Sequence, residues 1–302
     1  EKKDHDSLSA RGFSMGYLGS SLLLIICLVG IMIFKYEETI VDGVVVSTKG
    51  FFKVKYSFLL TGLWWMGFAQ YTFRNLPGKN NVSQNKSSDG LIFKGFKELR
   101  FVFNQIKQIV QLKRFLISYF FYNMGVQTIM VVAVLFARNE IDWGIGEAAE
   151  KSKTTSLIVS ILIIQFIGIL GAIVFSRLSR VIGNIRSIMI SISIWIFLCI
   201  YTYLIVRLPI HFYIVAVIVG FIMGGIQSLS RSTYSKMLPQ TNESTSFFSF
   251  FDVLEKLGMI IGTISFGLIS EILGGMRPSI LSLILFFVIG FIGLLFVTKK
   301  VK

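Results

Sequence analysis

The stretch 250–258 reads FFDVLEKLG and places Asp252, Glu255 and Lys256 at i, i+3 and i+4 inside an otherwise apolar run. That spacing puts all three on one face of a helix. If the run crosses a membrane, each ionised group costs about 2.5–3.5 kcal/mol on insertion scales unless it is paired or wet. Two readings follow. The charges are a gate or coupling group, or they are a structural salt bridge only about 8 Å inside a span that starts near Phe247, at 1.5 Å per residue. The preceding run ends GGIQSLSRSTYSK over 224–236, so Gln227, Ser230 and Arg231 arrive at a similar depth. Arg231 is then within reach of Asp252 or Glu255. We expect Arg231, Asp252, Glu255 and Lys256 to form one charge network at the mouth of a helical bundle.

Uncharged polar residues give a second set of candidates. Asn123 and Gln127 lie one helical turn apart near the middle of an apolar run, and Gln165 lies mid-run in the next. A buried amide needs a partner, which in lipid is another helix or a wet cavity. Trp64 and Trp65 fall mid-run, too deep for an interfacial belt. Packing is the expected role of the pair, with a cavity wall as the alternative. Gly220 with Gly224, and Gly258 with Gly262, are spaced for close helix approach.

Chemistry beyond charge pairing has little support. The two histidines, His5 and His211, lie far apart, and no His/Cys/Asp/Glu cluster has the spacing of a metal site. No GxxxxGK loop is present, so neither a nucleotide nor any other cofactor is expected. Cys27 and Cys199 both sit in apolar runs and read as small hydrophobes.

The elements that must position these residues are set by composition. Hydrophobic residues are 54 % of the 302, charged residues 15 %, and mean hydropathy is +0.72. Soluble domains carry about 25 % charged residues. Runs of about 20 apolar residues, the length that crosses a bilayer core, recur at 12–34, 54–73, 115–137, 155–176, 187–206, 210–230, 247–270 and 278–298. Lipid offers the backbone no partners, so these are expected as eight helices. The net charge of +14 is read as topology, not as a nucleic-acid surface. Segments 1–11, 74–114, 177–186, 231–243 and 299–302 hold 20 of the 30 Lys and Arg, against nine on the other side and Lys256 within a span. Basic loops stay in the cytoplasm, so both chain ends are expected there. The first six residues lack a signal core and there is no initiator Met, which reads as a start inside a longer protein.

The 74–114 segment stands apart. Residues 77–90 read as a linker. Beyond them Ile92, Phe96, Leu99, Phe103, Ile106 and Val110 recur at helical spacing among Lys94, Lys97, Arg100, Lys107 and Gln111. This predicts a basic amphipathic helix, lying on anionic headgroups over 91–113 or packed under the bundle.

Two spans, a long basic linker and six spans match part of a major-facilitator layout, in which two six-span halves are joined by a long cytoplasmic loop. On that map the spans are five to twelve. The expected division is 1–75 for two helices of the N-terminal bundle, 76–113 for the linker, and 114–302 for a six-helix C-terminal bundle. SARGFSMGYLGS (9–20), GIQSLSRSTYS (225–235) and FFDVLEKLG also resemble the vacuole-effluxer-like branch of the major facilitator superfamily, most closely its bacterial members. The resemblance implies an all-α membrane transporter working by alternating access in a bacterial inner membrane. A small solute such as an amino acid would be exported, with protons as coupling ion. A facilitator usually carries an acid, a base and then Gly in the loop between spans eight and nine. Here Arg180 and Val181 take the charged positions and only Gly183 is kept, which leaves the anchoring salt bridge of that loop open. A receptor or scaffold that retains the fold is the alternative function. An enzyme is not expected, for want of a catalytic cluster.

Overall fold

The computed structural model describes residues 4–34, 37–41, 44–49, 54–75, 91–239 and 244–298. In chain order they form α1 (His5–Ile33), the hairpin strands β1 (Glu37–Val41) and β2 (Val44–Lys49), and α2 (Lys55–Asn75). Then come α3 (Leu91–Gln108), α4 (Val110–Glu140), α5 (Glu147–Ile182), α6 (Asn184–Leu204), α7 (Pro209–Met237), α8 (Ser244–Ile272) and α9 (Met276–Thr298). Every long element is a helix, as the apolar runs require. The exception to an all-α chain is the antiparallel hairpin, whose register shifts between Thr39 and Ile40.

Among the described residues, seven helices are long and apolar enough to span a membrane. The expected count of eight is therefore not confirmed. The remaining run forms the 21-residue α2, but its Trp, Tyr, Thr, Gly and Gln content keeps it outside the set of seven.

The chain divides into two compact units. The smaller, Leu18–Asp89, holds the rest of α1, the hairpin and α2. None of the α2 residues is buried. Trp65 is 74 % exposed, and the ring of Trp64 lies 5.1 Å from that of Phe68 on the same helix.

The larger unit joins Glu1–Tyr17 to Gly90–Lys302. α5 packs on α7, and α4 packs on α9 and α8. Gly220 faces the backbone of Ile164, where a Cβ would sit 2.6 Å from its carbonyl oxygen, and Gly224 faces the carbonyl of Gly168. Gly262 meets Met124 and Thr128 in the same way. Gly220, Gly224 and Gly262 thus allow close helix approach, while at Gly258 a Cβ would meet only ordinary contacts at 3.4–3.6 Å. Inside, Trp195 stacks on Phe287 at 5.8 Å. α5 and α6 are joined by Gly183 alone, whose φ of 88° suits a residue without a Cβ. At the opposite end of the unit Arg277 pairs with Glu140 at 3.2 Å. It also donates to the carbonyls of Glu140, Thr202, Tyr203 and Val206 at 2.7–3.2 Å. These are free carbonyls at or just beyond the ends of α4 and α6, which have no partner within their own helices.

Candidate functional site

A cavity of about 360 Å³ opens among α1, α4, α7 and α8 in the larger unit. α4, α7 and α8 contribute its polar groups, and α1 contributes an aromatic ring. α4 supplies Tyr119, Tyr122, Asn123 and Gln127; α7 supplies Gln227, Ser230 and Arg231; α8 supplies Asp252, Glu255 and Lys256; α1 supplies Phe13.

The charges meet as two pairs. Arg231 lies 3.5 Å from Asp252, and Lys256 lies 3.3 Å from Glu255. Both pairs line the same cavity, but as two separate contacts and not as the one network expected. Their side chains are 27–65 % exposed. All four are paired and line one polar cavity, and pairing lowers the cost of holding charge in an apolar bundle. α8 begins at Ser244, so Asp252 is about 12 Å along the helix, at 1.5 Å per residue.

Aromatic hydroxyls and amides complete the wall. Tyr119 donates to Glu255 at 3.4 Å, and Tyr122 shares a 2.7 Å hydrogen bond with Ser230. Asn123 donates to the backbone carbonyl of Glu255 at 3.4 Å and accepts from Gln127 at 3.5 Å. Gln227 accepts from Tyr17 of α1 at 2.9 Å. The ring of Phe251 stacks on Tyr119 at 4.2 Å and on Tyr234 at 4.8 Å. Of the residues expected from sequence, Gln165 alone does not line this cavity; it is half-buried on α5 and has polar or ring partners of its own.

A second polar centre was not foreseen. Asp6, read as part of a charged chain start, is 3 % exposed. Its carboxylate accepts from Lys236 at 2.6 Å, Asn184 at 2.7 Å and Ser179 at 3.0 Å. Asn184 also donates to Ser232 and Thr233 and accepts from Lys236 at 3.0 Å. Next to it Ser235 and His5 are 2.9 Å apart, and Ser9 donates to the carbonyl of Ser228 at 2.8 Å. The start of α1 is thus stapled along the last turns of α7. The α5–α6 junction does hold an acid, but the acid comes from α1, while Arg180 and Val181 point into the open. Among the described residues, no group of His, Cys, Asp and Glu gathers as a metal site would require.

Residues 1–301 match a family model described as vacuole effluxer Atg22-like. The chain is 29 % identical to the uncharacterized MFS-type transporter YxiO of Bacillus subtilis, over 99 % of this chain and 65 % of that protein. It is 25 % identical to autophagy-related protein 22-2 of Aspergillus clavatus, over 92 % of this chain and 46 % of the relative. The chain therefore spans about half to two-thirds of the length of these relatives. In structure it is similar to a variant of the Escherichia coli fucose:proton symporter FucP, with a TM-score of 0.55 and 16 % identity over 81 % of this chain and 55 % of that one. That likeness concerns the fold. The family match extends along the whole described chain, and the seven apolar helices agree with it: the chain belongs to the vacuole effluxer Atg22-like family of the major facilitator superfamily, whose members are membrane transporters and not enzymes.

Proposed function

We propose that this chain carries the solute site of a secondary active transporter. It exports a small zwitterionic metabolite, an amino acid or a close analogue, by alternating access linked to protons. The observation that supports this most is the pairing of charges of both signs around one wet cavity in an apolar bundle. Arg231 and Lys256 offer positive charge to a carboxylate, and Asp252 and Glu255 offer negative charge to an ammonium. Tyr119, Tyr122 and Phe251 wall the space for an apolar side chain. Both ion pairs are long, at 3.3–3.5 Å, so exchanging an internal partner for a solute group loses little.

Glu255 is the proton-bearing residue in this reading. Its carboxylate contacts Tyr119 and Lys256, so its charge bears on α4 and on its own helix α8. The same proposal divides the chain into 1–75 of an N-terminal bundle, a 76–113 linker on anionic headgroups, and a 114–302 C-terminal bundle. Both ends are cytoplasmic at a bacterial plasma membrane.

The test is transport by a full-length protein, with a complete N-terminal bundle joined to this chain, in liposomes with an imposed proton gradient and a labelled amino-acid mixture. The wild type should accumulate at least one amino acid in a gradient-dependent way, and Glu255→Gln should exchange solute without responding to the gradient. Gradient-driven accumulation by Glu255→Gln equal to wild type would remove the proton role. No movement of any amino acid would remove the solute class.

A further inference from the structure

α3 carries three stripes in order around its axis. Val102 and Ile106 are buried against the unit and Leu99 is half-buried beside them, where α3 packs on α8 and α4. Next come Phe96 and Phe103, 68 % and 45 % exposed. Then come Arg100 and Lys107, each four residues beyond a Phe and so about 40° further around the helix. The Lys107 ammonium stands 4.3 Å over the Phe103 ring. Glu98 is the one acid between Gly95 and Gln108. The helix therefore uses only part of its apolar surface on protein, and the unused part is edged with cations.

Its position matters as much as its pattern. α3 runs into the start of α4 through Ile109, and its Phe103 meets Phe250 near the start of α8, so it lies at the end of the unit where both helices begin. Exposed aromatic rings with basic residues one turn on fit the boundary of a bilayer, with rings among the upper acyl chains and cations among headgroups.

We propose that this face of α3 docks on the surface of an anionic phospholipid bilayer and, through α8, makes the cavity responsive to anionic lipid. The link is short. The ring of Phe103 lies 6.2 Å from that of Phe250, and the next two residues, Phe251 and Asp252, line the cavity. A docked α3 holds Phe250 in place, and with it the Asp252 end of the Arg231 pair. The docking stands without the transport reading; its effect on rate rests on it.

The test uses the full chain with Asn104→Cys, an exposed position beside the cations, carrying a polarity-sensitive fluorophore. The native cysteines are buried. The protein is reconstituted in phosphatidylcholine vesicles, with or without phosphatidylglycerol, each doped with headgroup-nitroxide lipid. Docking predicts a blue shift and stronger quenching when phosphatidylglycerol is present. Arg100→Gln with Lys107→Gln should weaken docking by roughly twenty-five-fold, from about fivefold per cation near an anionic surface. Equal quenching in both vesicle types overturns the docking, as does a double variant quenched like its parent. So does the same shift in neutral vesicles on adding soluble glycerol phosphate. In the transport arm, gradient-driven uptake should fall severalfold in neutral vesicles and in the double variant. Uptake indifferent to both, alongside normal quenching, overturns the coupling to the cavity. Absence of uptake in every lipid counts against the transport reading and leaves the quenching result to decide the docking.

Discussion

Replacing Asp6 by alanine removes a carboxylate that is 3 % exposed and accepts three hydrogen bonds at 2.6–3.0 Å. Deleting one partner of a buried pair costs about 3–5 kcal/mol, because the other charge stays behind without compensation. Two features of the site favour the low end. Lys236 is 24 % exposed, so water reaches its ammonium, and it keeps the Asn184 carbonyl oxygen at 3.0 Å. The expected loss is therefore about 3 kcal/mol. Adding Lys236→Met removes the stranded cation, and replacing both members by apolar groups is often nearly neutral. The double variant should accordingly recover about 2 kcal/mol of that loss. Thermal or denaturant unfolding in a mild detergent, run on both singles and the double, measures the cycle. Asp6→Ala within about 0.5 kcal/mol of wild type, the range of an ordinary surface change, would refute the reasoning. So would a double variant less stable than Asp6→Ala.

Further outcomes follow from other contacts. Asp252→Arg and Arg231→Asp should each lower transport, and the two together should restore part of it if the 3.5 Å pair is a working contact; a double no better than either single denies the pairing. Gly224→Ala drives a methyl onto the Gly168 carbonyl and should cost about 1–3 kcal/mol by overpacking, while Gly12→Ala, with open space around it, should leave the melting temperature unchanged or raise it. Arg277→Met strands Glu140 and several carbonyls, and should cost about 3 kcal/mol in the same unfolding assay. In sealed cells, a cysteine at Ser87, outside the described residues, should resist external labelling while one at Glu147 accepts it; equal labelling of both reverses the proposed topology.

Seven of the eight expected spans appear as apolar helices at their expected places, since a run of about 20 apolar residues has no other stable form in lipid. The α8 charges were equally legible, because ionisable residues in an apolar run stand out and their i, i+3, i+4 spacing fixes a face. Arg231 was found from depth alone. Asp6 was not, and the reason is physical. Its partners lie 173–230 residues away, and nothing local distinguishes a buried aspartate from a solvated one at a charged chain start. Tyr119, Tyr122 and Phe251 were missed for the opposite reason: an aromatic in an apolar run looks the same whether it fills a core or walls a cavity. Gln165 lies outside this cavity, which leaves a partner on another helix, the first of the two readings a mid-span amide allows. The α3 pattern foretold a helix, but only packing shows which apolar residues are spent on protein and which remain uncovered.

The Arg277 knot has a mechanical consequence. It gathers the ends of α4, α6 and α9 at one rim of the unit, and α8 is leashed to that rim by the three residues Leu273, Gly274 and Gly275. A rod fixed at one end amplifies small rotations at the other. Asp252 lies about 30 Å along α8 from the leashed end, at 1.5 Å per residue. A swing of about 4° about that pivot therefore carries its carboxylate roughly 2 Å by simple leverage over that length. The Arg231 pair starts at 3.5 Å, so that much travel is enough to part it without unwinding a helix, and it draws the neighbouring Phe251 ring away from Tyr119 and Tyr234 as well.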